Sequence, residues 1–230
     1  KLNPTDIKII FIKKNSQNKQ LKKIISISNQ HNIPLEEVEK DFLTTLSFSN
    51  KHQGVVCELN NLSLSNFNLD TYLQIQKSPF IVIFDSIQDP RNLGSCIRTA
   101  NAAGVSLIIK KKANSCEISP LVHKAASGGL QGLSLLETNN LSSIIKKLKN
   151  NNITIIGTDH TASKSIYEMN KMSSGIAVII GSEGDGISKS LLSICDEIYK
   201  VPIHGSVECL NVSVATGIVL YQTHLSLKKN

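Results

Sequence analysis

Five polar side chains and one glycine-rich run are this chain's candidates for chemistry: Asn92, Arg98, Asn211, Ser213, and Glu183 inside Gly181-Ser-Glu-Gly-Asp-Gly186. Arg98 is the only charge in Leu93-Gly-Ser-Cys-Ile-Arg-Thr-Ala-Asn-Ala-Ala-Gly104, a stretch otherwise small and apolar. A charge on a buried helix needs a partner, and guanidinium geometry suits either a carboxylate or a phosphate; a solvated surface position is the alternative. Asn92 follows Pro90 where a helix N-cap fits. Asn211 and Ser213 open the last apolar run, where they either cap a helix or point into a site.

The glycine run lies between a strand-like and a helix-like segment, where glycines let backbone amides approach a ligand closely. Two phosphate-binding patterns fail on it. In a Walker A arrangement the lysine position is Ile187, which offers phosphates no cation. In a dinucleotide fingerprint the glycine spacing is reversed, and Glu183 places an anion where pyrophosphate would sit. A neutral or zwitterionic adenosyl ligand held by backbone groups remains open, as does a plain tight turn needing positive φ. The six histidines show no metal-binding spacing, and five scattered cysteines without a C-x-x-C suggest neither a zinc cage nor a disulfide framework.

These groups need elements to position them. From Pro79 onward, short Ile/Val-rich runs alternate with helical patterns, which predicts strands at 80–84, 105–109, 133–136, 153–156, 176–180 and 197–201. Helices are expected at 92–103, 120–126, 141–149, 188–194 and 210–227. The result is an α/β fold, a parallel sheet with helices on both faces, and its ligand loops belong at the carboxyl ends of the strands. The last helix is apolar over too much of its circumference for a one-sided surface helix: Leu210, Val214, Ile218 and Tyr221 share one face, while Val212, Ala215 and Val219 cover another. It is expected to pack on the sheet and on a second copy of the chain at once, giving a homodimer.

Residues 1–59 form a smaller unit, with a strand at 8–12, helices at 19–30 and 34–46, the second beginning at Pro34, and a closing strand at 54–59. The Asn/Ser-rich stretch within 60–78 reads as a linker, and 79–230 as the main domain. No apolar run is long enough for a membrane span and no signal-peptide layout opens the chain, so a cytoplasmic protein is expected. A net charge of +7 favours an anionic partner such as nucleic acid, although solvated lysines alone would give the same value.

Three motifs occur in order: Asn92, Gly94, Arg98 and Ala100; Gly181 to Gly186; and Pro202, Gly205, Leu210, Asn211, Val212, Ser213 and Ala215. On these residues the chain resembles the TrmH/SpoU family of RNA ribose 2′-O-methyltransferases, of the SPOUT superfamily. The likeness is closest to members acting on a guanosine of 23S rRNA. The resemblance implies a trefoil-knotted parallel-sheet domain preceded by a small L30e-like α/β substrate-binding domain, here with an N-terminally short start. It implies S-adenosyl-L-methionine as cofactor, held largely through backbone at Gly181, Ser182, Glu183, Val201, Ile203, Ser206 and Leu210. Arg98, Asn92, Glu183, Asn211 and Ser213 would form the catalytic group, with RNA as substrate, a homodimer, and no metal or membrane. Gly128-Gly129 departs from the Gly-Ala of many members without touching the expected chemistry. A tRNA ribose methyltransferase and a non-catalytic rRNA-binding assembly factor are the competing readings.

Overall fold

The computed structural model of the chain describes residues 4–16, 18–47, 50–60 and 67–227. Contacts divide the chain into two compact units, residues 1–65 and 66–230. In the first, β1 (Ile7–Lys13) is the central strand of three. It runs parallel to β2 (Leu35–Val38) and antiparallel to β3 (Val55–Leu59). Alternation along β1 sends Ile10 and Ile12 against Leu21 of α1 (Lys19–Gln30), and Phe11 against Leu43 of α2 (Lys40–Ser47).

The helix expected from Pro34 is instead β2 followed by α2. Glu36 and Glu37 favour helix on their own, but this segment pairs with β1 and the Pro34 carbonyl accepts the Ile10 N–H at 2.8 Å. Tertiary pairing overrides the local preference.

The second unit is built on a seven-stranded sheet in the order β6-β5-β4-β9-β7-β10-β8, with every registered pairing parallel. Its strands are β4 (Phe80–Phe84), β5 (Leu107–Lys111), β6 (Ser134–Thr138), β7 (Thr154–Thr158), β8 (Lys164–Ser165), β9 (Ile176–Ile180) and β10 (Glu197–Lys200). Phe80, Val82 and Phe84 face one core with α4 (Pro90–Ala102), α5 (Pro120–Ala126) and α8 (Val212–Ser226). Ile81 and Ile83 face the other, with α3 (Leu69–Ile75), α6 (Leu141–Asn150) and α7 (Lys189–Leu192). All residues of β4 and β9 are buried, as strands covered on both faces must be.

Several boundaries differ from the sequence expectation in one direction. β5, β6 and β7 begin one or two residues later than expected and run on into polar residues at their carboxyl ends. Lys110 shows how: it is 1% exposed, yet its ammonium meets Glu137 at 3.0 Å and the Lys111 carbonyl at 3.1 Å, so the strand continues through a charge. The region expected to be linker contains α3, whose Asn68 side chain caps it by accepting from the Thr71 N–H at 3.0 Å; residues 61–66 lie outside the described residues. Among the described residues no helix is long and apolar enough to cross a membrane, and no group of His, Cys, Asp and Glu could hold a metal ion.

Candidate active site

β4 and β9 are neighbours with β5 on the far side of β4, so the strand order jumps between them, and loops leaving their carboxyl ends flank the crevice where α/β sheets bind ligands. Asp85, the first residue past β4, stitches this crevice together. Its N–H donates to the Ile180 carbonyl at 2.9 Å, and its carboxylate accepts from the Ser188 N–H at 3.1 Å and the Ser86 hydroxyl at 3.0 Å. Lys111 lies 3.6 Å away and balances the charge of this carboxylate, which is almost fully buried.

The helix that follows begins at Pro90, two residues before the start expected at Asn92. Asp89 is the N-cap, its carboxylate accepting from the Arg91 and Asn92 N–H groups at 2.6 and 3.2 Å, and Pro90 occupies the first helical position. Asn92 is thereby released from capping, and its side chain points out of the first turn.

Past β9, Gly181 has no room for a side chain, because a Cβ there would lie 2.0 Å from the Gly186 carbonyl carbon and 2.3 Å from the Ile187 nitrogen. Ser182 and Gly186 exchange both backbone hydrogen bonds, at 3.1 and 3.2 Å, and Gly186 takes φ +65°. The Ser182 hydroxyl accepts from the Asp185 N–H at 3.3 Å. This tight turn anchors Ile187 in the core and exposes Glu183 at its tip.

Three segments far apart in sequence meet at that carboxylate. Asn92 Nδ2 donates to Glu183 Oε1 at 2.7 Å, and Asn211 Nδ2 donates to the same oxygen at 3.2 Å and to Asn92 Oδ1 at 3.1 Å. Asn211 Oδ1 meanwhile caps α8, accepting from the Ser213 N–H at 2.9 Å and the Ser213 hydroxyl at 2.6 Å. Capping and site-building, read as alternatives in the sequence, are both carried out by one amide. Behind this cluster the Cys96 thiol is buried, which with the nearby Glu183 charge pushes its pKa up to about 11 against an opposing Thr216 hydrogen bond. It fills space rather than acting as a nucleophile.

Arg98 does not join the cluster. It was expected to be a charge on a buried helix, but α4 is buried on the side of Leu93, Gly94, Ile97 and Ala100 while Arg98 is exposed, and its guanidinium has no hydrogen bond or ion pair among the described residues. The backbone beneath it is tightly packed: a Cβ on Gly129 would stand 2.7 Å from the Arg98 Cα, so Gly129 does bear on the site. Gly94 has the same office one turn earlier, where a Cβ would meet Ala125 Cβ at 2.5 Å and the Val122 carbonyl at 2.7 Å. Val201 packs half-buried on the core, Leu210 is half-buried, and Ile203 and Ser206 lie on the exposed loop between β10 and α8. Among the described residues no backbone hydrogen bond involves Pro202 to Leu210. Asp85 and Asp89 are not among the residues expected from sequence, although the carboxylates flanking the first loop were the available signal, and Gly129, expected not to touch the chemistry, lies directly under Arg98.

Residues 79–221 match the model of the SpoU rRNA Methylase family, and residues 2–64 match that for RNA 2'-O ribose methyltransferase substrate binding. The chain belongs to the SpoU rRNA methylase family. It is 32% identical over 215 residues to the 23S rRNA (guanosine-2'-O-)-methyltransferase RlmB of Pasteurella multocida, covering 93% of this chain and 87% of that one. Against RlmB of Escherichia coli K12 it is 32% identical over 220 residues, 95% of this chain and 90% of the relative. Among solved structures it shares the fold of the SpoU methyltransferase AviRb from Streptomyces viridochromogenes in complex with AdoMet, with a TM-score of 0.78 at 19% identity over 95% of this chain and 82% of that one. An AdoMet-bound rRNA methyltransferase from Sinorhizobium meliloti superposes with a TM-score of 0.76 at 22% identity over 97% and 82% of the two chains.

Proposed function

We propose that this chain transfers the methyl group of S-adenosyl-L-methionine to a ribose 2′-hydroxyl of RNA, with a guanosine of 23S rRNA as acceptor. The observation that carries the reading is the junction of Asn92, Glu183 and Asn211, one residue from each of the three motifs, on a single carboxylate. The relatives named RlmB support the choice of 23S rRNA.

The surrounding residues fit the cofactor. Gly181, Ser182, Val201, Ile203, Ser206 and Leu210 would hold it mainly through main-chain groups, and among the described residues the loop at 202–210 makes no main-chain to main-chain hydrogen bond. Glu183 opposes a phosphate and tolerates a cation. When bound, the cofactor supplies an electrophilic methyl on a sulfonium. A ribose hydroxyl is a very weak acid, so the chain must align it and help remove its proton. Arg98, a guanidinium with pKa above about 12, is a poor base and serves to clamp an RNA phosphate and stabilise the developing alkoxide. Glu183 is the proton acceptor: Oε1 is held by two amides while Oε2 has no hydrogen bond among the described residues. Ser213 fixes the Asn211 amide from behind.

Residues 1–59 would capture RNA and the segment from 60 to 78 join the units, a role supported by the family match over residues 2–64. The trefoil knot belongs to the same reading. So does a homodimer, supported by α8: Val214, Tyr221 and Leu225 are 51%, 51% and 66% exposed along one side of it. Light scattering that gives the mass of one chain at micromolar concentration removes the dimer. For the activity, radiolabelled cofactor is incubated with unmodified 23S rRNA, 16S rRNA and tRNA transcripts, and the methylated ribose is mapped. Incorporation at a 23S guanosine is expected; incorporation into tRNA alone, or into no RNA, refutes the reading.

A further inference from the structure

Of the 25 lysines and arginines in the chain, only two are arginine: Arg91 and Arg98. Both are on α4, seven residues apart, which on an α-helix means the same side at an axial separation of about 10.5 Å. Both are exposed, and neither guanidinium has a hydrogen bond or ion pair among the described residues. A solvated surface cation is written as lysine everywhere else here, so solubility does not explain why these two are arginine. What arginine adds is a planar fork that grips a phosphate with two parallel bonds.

The place of Arg91 is unfavourable for the helix itself. It lies in the first turn, where the positive end of the helix dipole disfavours a cation, and α4 has no acidic residue in that turn. Asp89, two residues back, is spent on the Arg91 and Asn92 N–H groups and makes no ion pair with the guanidinium. A local choice that works against its own element is the mark of a residue kept for something outside the fold. Arg91 is also the immediate neighbour of Asn92, which is bonded to Glu183.

We propose that Arg91 is a second phosphate anchor for the RNA strand. Arg98 holds the backbone at one point and Arg91 holds it two helical turns away, so that the strand crosses α4 in one direction and the acceptor ribose is brought to Glu183. This rests on the reading of the chain as an RNA methyltransferase and adds a binding residue to it. Arg91 contributes to RNA capture and strand polarity; it has no part in the methyl transfer step.

The test compares wild type with Arg91→Ala and Arg91→Lys, using filter binding of a 23S rRNA transcript across a salt series and steady-state methylation of the same transcript. Arg91→Ala should raise Kd and KM for RNA roughly tenfold and make the log–log salt dependence shallower by about 0.7 to 0.9, the share of one phosphate contact. Arg91→Lys should restore the salt slope, because the charge remains, while leaving KM a few-fold high for want of the fork. Affinity for S-adenosylhomocysteine should not move in either variant. The proposal is overturned if Arg91→Ala keeps the wild-type salt slope and KM, or if kcat and cofactor affinity fall together and lysine does not restore them, which would show disruption of the start of α4. The binding slopes need no turnover. If wild type methylates no RNA, the parent reading fails while the comparison at Arg91 still decides this one.

Discussion

Asn211 is where capping and site-building can be separated, because its two functions use different atoms. Asn211→Ala removes the cap of α8, about 1 kcal/mol, and both amide bonds to the site. At roughly 2–4 °C per kcal/mol for a chain of this size, the melting temperature should fall by about that amount. Asn211→Asp keeps a carboxylate oxygen as cap and complements the helix dipole. It also places a charge where Nδ2 stood, 3.2 Å from Glu183. At that distance two unit charges repel by about 1.3 kcal/mol in water and about 5 kcal/mol at an effective dielectric of 20. The exposure of both residues favours the lower figure. The aspartate variant should therefore melt near the alanine one at pH 8 and recover as the pH is lowered toward the carboxylate range. Both variants remove one of the two amides that hold Glu183 Oε1 and leave Asn92 without its partner at Oδ1, and a displaced catalytic group is expected to reduce turnover by about 100-fold. Calorimetry at pH 8 and pH 5, with single-turnover methylation, decides the matter. An aspartate variant that turns over within a few-fold of wild type would show that the Asn92–Glu183–Asn211 junction does not hold the site.

Four further outcomes are expected. Arg98→Ala should lower turnover by about 100- to 1000-fold with cofactor affinity unchanged, as for deletion of one charge-stabilising donor; activity within a few-fold of wild type refutes the clamp. Gly94→Ala gains helix propensity but drives a methyl into Ala125 and the Val122 carbonyl, so denaturant titration should show a net loss of about 1–3 kcal/mol. Glu137→Ala strands the buried Lys110 ammonium, with a loss of about 3–5 kcal/mol in the same titration. Because the Cys96 thiol is raised from 9.0 to about 11 in the folded state, its share of stability is present below pH 9 and is lost as pH rises toward 11. Thermal melts between pH 8 and 11 should accordingly fall less steeply for Cys96→Ala than for wild type.

The fold was legible wherever burial on both faces left a continuous apolar run. Phe80–Phe84, Ile176–Ile180 and α5 at Pro120–Ala126 match the sequence expectation to the residue. What escaped depends on partners that sequence does not display. β2 forms against two helix-favouring glutamates because β1 lies beside it, and α3 hides Leu69, Tyr72 and Leu73 within polar surroundings. The exposure of Arg98 escapes a count of apolar residues along α4, because the buried residues Leu93, Gly94, Ile97 and Ala100 occupy one side of the helix and leave Arg98 on the other. The glycines of the site carry a local signal, but the juxtaposition of Asn92, Glu183 and Asn211 carries none; only resemblance could suggest it.

The separations at that junction also set a schedule. Asn92 and Glu183 are 91 positions apart, and Asn92 and Asn211 are 119 apart. At a synthesis rate of roughly 5–20 residues per second, Asn211 is made about 6 to 24 s after Asn92. Throughout that interval the nascent chain can assemble β4, β5 and the helices between them, yet it has no complete site. On the proposed site, a protein that modifies ribosomal RNA is thus made by ribosomes without presenting them a complete active centre until Asn211 has been added.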